Sequence, residues 1–414
     1  MRRVARRWRS RCKSWRTSNE RCRHFPAASR RALVREILFV AGEASGDLHA
    51  AGVARALVAQ GAPYRLIGIG GDQMREAGVE LLEHTERLAV MGFVEVLKHV
   101  PLHYRLAREL ERRIRSGRVA LVVLIDYPGF NMKIAAAARA AAVPVLYYIT
   151  PQVWAWGAKR LRELARTITK AAVILPFEEA LLRKHGIDAT FVGHPLLDRA
   201  RTLPDRAEAR RSLGVGEGER LLALFPGSRA QEIARHLDPF VETARELQRR
   251  DPALTVVVSA APHVAIAPER CPYPLVHSAS FTVLRAADAA MCKSGTTTLE
   301  AAVAGCPMVV AYRTSAITYA AAKRLVRIPH IGLVNVVAGR EVAPEFVQDA
   351  LVPARVADVL AELLDPASAR RGEMISELNR VRESLGAPGA AERVAGIALD
   401  LARGPVDVAA QSAS

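Results

Sequence analysis

The sequence has no apolar run long enough to cross a bilayer, and its cysteines are few and unpaired in spacing. The longest apolar segments, such as VALVVLI at residues 119–125, fall far short of the roughly 20 residues of a membrane-spanning helix. Any membrane contact is therefore expected to be peripheral. The five cysteines are odd in number and show no C-x-x-C spacing, which fits a reduced, cytoplasmic protein.

Acidic residues are almost missing from the front of the chain. Residues 1–35 carry thirteen Arg or Lys and one acidic residue, Glu20, so they account for +12 of the formal net charge of +17. They also lack the apolar core of a secretory signal. We interpret 1–35 as a basic, disordered extension; a basic arm that binds anionic lipid or RNA and an extension from a misassigned start codon both stay open.

The rest of the chain is only mildly basic, which suits an anionic small substrate or an anionic membrane surface. We expect no nucleic-acid partner for it. A length of 414 residues indicates two domains. Strand-like runs alternate with helix-like stretches, first in EILFVAG, YRLIGIGG, ALVVLID and VPVLYYI, and again in LLALFPGS, LTVVVSAA, AADAAMCKSG and CPMVVAY.

This alternation predicts an α/β fold of two doubly wound, Rossmann-like domains that face a cleft, with ligands at the carboxyl ends of the strands. The first domain is predicted at 36–200 and the second at 201–385, and the segment 193–220 is rich in Pro, Gly and charge, as an interdomain connection would be. A closing helix is expected at 386–404, before a tail at 405–414. Whether it packs on the first or the second domain is left open.

Two turns of the first half are candidate sites. Glu43 and Ser45 lie in the turn GEASGD, which follows a strand and opens a helix, so it suits an anionic or hydroxyl-rich ligand. A plain turn capped by Ser45 or Asp47 is the alternative. Asp126 ends an apolar strand, where it could take a substrate proton or cap the helix after Pro128.

Two turns of the second half are candidates for binding a diphosphate. Ser228 and Arg229 follow the strand that ends at Phe225, and a guanidinium group is a planar, permanently charged partner for phosphate. The segment KSGTTTLE offers a glycine and small hydroxyl residues at a helix start, with Glu300 placed to accept ribose hydroxyls. A surface salt bridge and an ordinary capped helix are the alternatives.

Weaker signals give no metal site. His99 and His103 are four residues apart, but Pro101 lies between them and no third ligand is evident. No D-x-D pair is present to hold a divalent ion against a diphosphate. Trp154 and Trp156 could stack on a sugar or fill the core. The apolar segment VMGFVEVLKHV at 90–100 could form a membrane-facing or acyl-binding flap, or be core.

In order, the motifs GEASGD, MGFVEVL, DYPGFN, TPQVWAWG, VGHPL, FPGSR, KSGTTTLEA and NVVAGRE resemble those of lipid-A-disaccharide synthases, over residues 36–402. The resemblance implies the type-B glycosyltransferase fold, with an acceptor-binding, membrane-associating first domain and a UDP-sugar-binding second domain. It implies transfer of 2,3-diacylglucosamine from UDP to the 6-hydroxyl of 2,3-diacylglucosamine 1-phosphate (lipid X), inverting to a β-1,6 link. It also implies no cofactor or metal, and a peripheral position on the cytoplasmic face of the inner membrane; a homodimer stays open.

The resemblance also assigns roles to residues. It implies that Asp126 is the essential aspartate, that Arg229 and Asn335 are catalytic, and that Ser45 is the serine of the first turn. The donor-binding set it implies is Ser228, Arg229, Ser294, Gly295, Thr296 and Glu300, and the membrane contact is Val94, Val96 and Leu97. Two departures are Val334, where a proline is often found before Asn335, and the arginine-rich front of the chain.

Three other functions compete with this one. Another type-B enzyme that uses UDP-N-acetylglucosamine, such as a peptidoglycan-precursor transferase or a 2-epimerase, would not require an acyl-sized groove. A catalytically silent, membrane-attached nucleotide-binding protein would not require both Asp126 and Arg229. RNA binding through the basic arm would be lost with residues 1–35 while transfer was spared.

Overall fold

A computed structural model describes residues 34–88, 93–152, 158–261, 264, 266–277, 279–316, 318–320 and 329–404. Side chains are described throughout these ranges except at 93–100, 158 and 159. The predicted basic extension lies outside this part of the chain up to residue 33, and so does the predicted tail at 405–414.

The first half of the chain is built on a seven-stranded parallel sheet with the order β3-β2-β1-β4-β5-β6-β7. The central strands β1 and β4 are buried along their whole length, as the continuous apolar runs of the sequence require when helices cover both faces. The strands are β1 (Glu36–Ala41), β2 (Arg65–Gly70), β3 (Glu80–His84), β4 (Val119–Ile125), β5 (Val145–Tyr148), β6 (Lys170–Val173) and β7 (Ala189–Phe191).

Helices cover both faces of this sheet and form two apolar layers, one on each side. The helices are α1 (Ala44–Ala59), α2 (Asp72–Glu76), α3 (Phe93–Arg115), α4 (Pro128–Ala140), α5 (Ala158–Thr167) and α6 (Glu178–Lys184).

The second half repeats the plan with a six-stranded parallel sheet in the order β10-β9-β8-β11-β12-β13. Its strands are β8 (Leu221–Phe225), β9 (Thr255–Ala260), β10 (Leu275–His277), β11 (Ala289–Lys293), β12 (Met308–Tyr312) and β13 (Glu345–Val347). Two short helices, α7 (Leu196–Ala200) and α8 (Arg206–Ser212), lie in the connection between the halves. The helices that follow are α9 (Ala230–Arg250), α10 (Ser280–Ala286), α11 (Thr297–Ala304), α12 (Leu333–Ala338), α13 (Pro353–Leu364) and α14 (Ala369–Ser384).

The last helix, α15 (Ala390–Arg403), returns to the first half and packs on α1. Val394, Ala395 and Ala398 are fully buried in the same apolar layer as β1 and α1. Asp198 of α7 fixes the start of this helix, because its carboxylate accepts hydrogen bonds from the backbone N–H groups of Gly389 and Ala390. The question that the sequence left open is therefore answered in favour of the first half.

The prediction of two doubly wound parallel sheets is confirmed, and each of the eight quoted apolar runs contains a strand. Strands β3, β6, β7, β10 and β13 were not predicted. β3, β7, β10 and β13 are the edge strands of the two sheets, and β6 lies next to an edge; none of the five is a continuous apolar run like the central strands. The segment 193–220, predicted as an interdomain connection, contains the short helices α7 and α8. No helix in the described ranges is both long and apolar enough to span a bilayer.

Candidate active site

The first strand-to-helix turn places Glu43 and Ser45 at a cleft. Because β1 ends at Ala41 and α1 begins at Ala44, both side chains stand exposed at the amino end of α1. Gly42 is required in this turn, since a Cβ atom on it would lie 2.2 Å from the ring of Tyr127. The missing side chain lets the turn after β4 approach the turn after β1.

Asp47, from the same motif, caps a different helix from the one expected. It is 5% exposed, and its carboxylate accepts hydrogen bonds from the backbone N–H groups of Gly71 (2.6 Å), Gln73 (3.1 Å) and Met74 (3.1 Å). These groups are at the start of α2, which Asp47 caps from the neighbouring helix α1. The end of GEASGD is therefore structural, and its beginning faces the cleft.

Asp126 lies at the end of β4 in a strained turn. It has a φ angle of 47° and Tyr127 one of 51°, a region that residues with a Cβ atom seldom adopt. Two buried side chains hold this conformation: the Asn131 amide and the Tyr147 hydroxyl donate hydrogen bonds to the Asp126 carbonyl, at 2.6 and 2.7 Å. The Asp126 side chain is only partly exposed. Strain that the surroundings maintain at a cleft is typical of a functional position.

The surroundings of Asp126 favour its protonated form. Burial raises the pKa of the carboxyl group, and the nearby Glu43 carboxylate raises it further. The backbone N–H of Tyr127 and the charge of Arg229 lower the pKa, but they do not cancel the rise. A carboxylate whose pKa is raised holds a proton more readily, as a general base must.

Arg229 meets this group from the other half of the chain. It lies at the N-cap of α9, and its Nη2 is 3.5 Å from Oε2 of Glu43. Both side chains are about half exposed, at 53% and 49%. The contact joins the turn after β8 to the turn after β1. Glu43, Asp126 and Arg229, predicted from separate motifs, therefore lie together on the two sides of one cleft.

The two predicted phosphate-binding turns are neighbours because their strands are paired. Cys292 of β11 is in register with Phe225 of β8, so the segments that follow, from Pro226 and from Lys293, emerge side by side. The Lys293 ammonium contacts the Glu232 carboxylate at 2.9 Å, which links the two turns directly. The second half thus has one continuous corner at the carboxyl ends of two strands, formed by the two predicted turns.

Within that corner the glycine and hydroxyl residues have separate tasks. The Ser294 hydroxyl donates a hydrogen bond to the Ile331 carbonyl at 2.7 Å, and this bond ties the corner to the loop before α12. Gly295 has a φ angle of 154°, a backbone conformation that disfavours a side chain. Thr296 is the N-cap residue of α11. The backbone N–H groups of Thr298, Leu299 and Glu300 already donate to the carbonyls of Gly295 and Thr296. The feature of α11 that suits an anion at this corner is the positive end of its helix dipole.

Glu300 is 8% exposed, and its carboxylate contacts Nη1 of Arg199 at 3.1 Å. Arg199 belongs to α7 in the interdomain connection, and its guanidinium carbon lies 4.9 Å from the centroid of the Phe281 ring. The predicted ribose-binding carboxylate is thus held by a cation from the connection.

Asn335, which the resemblance implies is catalytic, makes its hydrogen bonds within its own loop. It is fully buried, and its amide group donates to the Ala343 carbonyl at 2.7 Å and to the Glu345 carboxylate at 2.8 Å. Its oxygen accepts from the backbone N–H groups of Val342 and Ala343, at 2.8 and 2.9 Å. Since these bonds engage both polar atoms, this arrangement makes Asn335 a residue that positions the loop after α12.

The cleft between the halves has a volume of about 2060 Å³. One end is lined by the Glu43 turn, Tyr127 and Arg229. From there it extends between α3 and α4, along apolar side chains and past several basic ones. The lining of this extension includes His103, Tyr104, Ala107, Arg108, Glu111, Arg115, Gly129, Phe130, Lys133, Ile134, Ala136, Ala137 and Ala140.

Several predicted site residues fall outside the described part. Val94, Val96 and Leu97 lie on the first turns of α3, where only the backbone is described, and Trp154 and Trp156 lie in the undescribed segment 153–157.

Of the histidine pair, His103 contacts the Tyr127 hydroxyl through Nε2 at 2.7 Å. Within the described residues, no three His, Cys, Asp or Glu side chains form a group that could hold a metal ion.

Three contributors to the site were not predicted as such. Tyr127 and Asn131 belong to the DYPGFN motif, so the motif itself was the signal that could have identified them. Tyr147 gave no signal, because in the sequence it is one more aromatic residue of an apolar strand.

A family model described as lipid-A-disaccharide synthetase matches residues 37–388. The lipid-A-disaccharide synthase of Geobacter sulfurreducens is 42% identical to the chain over 373 residues, which covers 88% of the chain and 97% of the relative. The lipid-A-disaccharide synthase of Syntrophus aciditrophicus is also 42% identical, over 374 residues with the same coverage.

Solved structures of lower identity share the architecture. A putative UDP-N-acetylglucosamine 2-epimerase from Listeria monocytogenes superposes with a TM-score of 0.61 at 13% identity, over 87% of the chain and 94% of that structure. The calicheamicin glycosyltransferase superposes with a TM-score of 0.55 at 18% identity, over 88% and 98%. At these identities the likeness concerns the fold, which is that of type-B glycosyltransferases.

Proposed function

The chain belongs to the lipid-A-disaccharide synthase family and is a glycosyltransferase of lipid A biosynthesis, and from this premise we propose how its residues carry out the reaction. The reaction moves 2,3-diacylglucosamine from UDP to the 6-hydroxyl of 2,3-diacylglucosamine 1-phosphate. It yields the β-1,6-linked disaccharide 1-phosphate and UDP.

The observation that carries the proposal is the contact of Arg229 with Glu43 at 3.5 Å. It brings the phosphate-binding corner of the second half opposite the turn of Asp126. A reacting sugar between them would have a carboxylate on one side and a cation with a helix N-terminus on the other. Those are the two groups that an inverting transfer requires, since a proton is removed on one face while negative charge develops on the other.

The chemical step follows from these positions. Asp126 takes the proton of the acceptor 6-hydroxyl as its oxygen forms a bond to C1 of the donor sugar. The bond from C1 to the β-phosphate oxygen breaks on the opposite face, and its electron pair leaves on UDP. Arg229 and the positive end of the α11 dipole stabilise that charge.

We assign the donor to the corner formed by Ser228, Arg229, Ser294, Gly295, Thr296 and Glu300. The start of α11 and the Arg229 guanidinium suit a diphosphate, and the Glu300 carboxylate suits the ribose hydroxyls. Charge neutralisation by these groups makes the reaction independent of a metal ion. Undiminished turnover in the presence of EDTA is expected, and loss of turnover that Mg²⁺ restores would contradict this point.

We assign the acceptor to the first half, where Glu43 and Ser45 border the cleft. The extension between α3 and α4 has an apolar lining, which suits acyl chains. It also carries cations such as Arg108 and Lys133, which suit a phosphate. Lipid X carries both groups, whereas an unacylated sugar phosphate would leave the apolar lining empty.

We further propose that the enzyme works at the cytoplasmic face of the inner membrane and contacts it through Val94, Val96 and Leu97. These residues begin the helix whose later part lines the cleft, so a lipid taken from the membrane would have a short path to the site. Replacing all three with Ser should reduce cosedimentation with anionic vesicles. Unchanged cosedimentation would refute this contact.

The reaction is tested by incubating the purified protein with UDP-2,3-diacylglucosamine and lipid X and determining the product mass. We expect one disaccharide 1-phosphate and one UDP per turnover. UDP-N-acetylglucosamine serves as the unacylated control donor. If it were used as efficiently as the acylated donor, the assignment of the apolar extension to acyl chains would be wrong.

A further inference from the structure

A largely buried ion pair lies beside the donor corner. Nζ of Lys293, the last residue of β11, is 2.9 Å from Oε1 of Glu232 in the first turn of α9. The two side chains are only 19% and 18% exposed. Neither residue has a part in the chemical step above. An ion pair that is largely removed from water depends on good geometry, and the loss of one partner is costly.

Glu232 transmits this pairing to the turn that carries Arg229. Its Oε2 accepts a hydrogen bond from the backbone N–H of Ser228 at 3.0 Å. Gly227, one residue earlier, has a φ angle of 133°, and a Cβ atom there would lie 2.6 Å from Cβ of Glu232. The turn and the carboxylate are therefore fitted closely to each other, with Lys293 fixing the carboxylate from below.

A second connection anchors the same helix to β12. Nε2 of His236 accepts a hydrogen bond from the backbone N–H of Arg313 at 2.8 Å, so the proton of the ring is on Nδ1. Nδ1 donates to the Glu232 carbonyl at 2.7 Å. Burial lowers the pKa of His236, which agrees with a neutral ring. The start of α9 is thus tied to the ends of β11 and β12, and only the tie to β11 acts through the Glu232 side chain.

We propose that Lys293 is a positioning residue for donor binding. Through Glu232 it holds the Ser228–Arg229 turn in the shape that receives the diphosphate of the UDP-sugar. The inference rests on the proposed function and deepens it, because it assigns the rigidity of the donor corner to one ion pair. From this pair the acceptor side of the cleft is reached through the Arg229–Glu43 contact, whose side chains are 53% and 49% exposed, and ion pairs that are so exposed contribute little.

The chain offers a comparable lysine in an ion pair remote from the cleft. Lys170, at the start of β6 in the first sheet, contacts Asp188 at 3.0 Å and is 23% exposed, similar to Lys293, although its partner Asp188 is 59% exposed. Lys170→Met therefore removes a lysine from an equally close pair without touching the donor corner. It controls for the general effect of losing such a cation on folding.

The experiment compares K293M, K293R and K170M with the unaltered protein. Steady-state kinetics give KM for each substrate separately, and titration calorimetry with UDP gives binding without chemistry. In K293M we expect KM for the UDP-sugar and Kd for UDP to rise about 10- to 100-fold, with KM for lipid X within about twofold, as expected for a misplaced binding group. K293R, which keeps a donor for Glu232, should recover most of the loss, and K170M should match the unaltered protein.

Donor KM and UDP Kd in K293M within about twofold of the unaltered protein would overturn the inference, and so would equal rises in the KM of both substrates. If K293M does not fold, the double variant K293M/E232Q can be used, because it removes both charges together. Normal UDP binding by the double variant would also overturn the inference. No disaccharide from the unaltered protein would instead refute the proposed function. UDP calorimetry would still test Lys293 in that case.

Discussion

Replacing Asp126 with Asn separates its chemical role from its role in the turn. With a φ angle of 47°, Asp126 is in a region that Asn and Asp tolerate, whereas Ala there costs roughly 1–2 kcal/mol. Asn keeps the shape and the backbone bonds from Asn131 and Tyr147 but cannot accept a proton. We expect kcat to fall by about 10²–10⁴, the contribution of a general base, which corresponds to about 3–5 kcal/mol of barrier.

Although Asp126→Asn should lower kcat, it should raise the stability of the folded protein at neutral pH. Because the folded pKa of Asp126 is raised, mainly by burial, its ionised form is disfavoured in the folded protein. This cost is present above the folded pKa and disappears as the pH falls below the unfolded value. At pH 7–8, Asp126→Asn should therefore unfold at higher urea than the unaltered protein, and the difference should vanish near pH 3.

The assay measures product formation, UDP binding and urea unfolding on Asp126→Asn and Asp126→Ala together. UDP affinity should be nearly unchanged in both, and Ala should be the less stable of the two. A kcat within about threefold of the unaltered value in Asp126→Asn would refute the role of general base. A large loss of UDP binding would assign the residue to donor recognition.

Three further variants test the site. Arg229→Met should lower kcat about 10²–10³-fold while costing at most about 1 kcal/mol of stability, since its ion pair with Glu43 is half exposed. If urea unfolding showed that the variant is largely unfolded under the assay conditions, the loss of activity would not support this role. Glu43→Gln removes a charge that raises the pKa of Asp126, so the acid limb of the kcat/KM profile should move to lower pH, and an unmoved limb would be inconsistent with the pairing. Asn335→Ala should destabilise the protein by about 1–3 kcal/mol for each buried group left unpaired. If Asn335→Ala instead weakened donor binding and left stability unchanged, Asn335 would be a residue that contacts the donor directly.

The fold was largely predictable because its central strands are buried on both faces. Such strands must be continuously apolar, and β1, β4, β8 and β11 were visible in the sequence for that reason. The outer strands escaped because short segments such as ELLEH at β3 give no usable period. The destination of α15 also escaped, since an apolar stripe does not specify its partner.

The site was predictable where chemistry follows a strand end. Asp126 and Ser294 come directly after such an end, and Arg229 lies in the turn that follows β8. The sheet topology alone brings Arg229 and Ser294 near each other. What the sequence could not give was the partner of each polar group. Asp47 caps α2, and the Asn335 amide donates to its own loop. Both contacts involve residues that become neighbours only when the chain folds.

The return of α15 to the first half has a consequence for how the protein is made. The layer that covers one face of the first sheet includes side chains from the final helix, such as Val394 and Ala398. A ribosome that has finished the first half has therefore not yet supplied all of its interior, and that half must wait, incomplete, until the second has been synthesised. The first half therefore completes its fold only after the second half has been synthesised. A chain released before α15 is made would leave apolar surface on α1 and β4 available to chaperones and proteases.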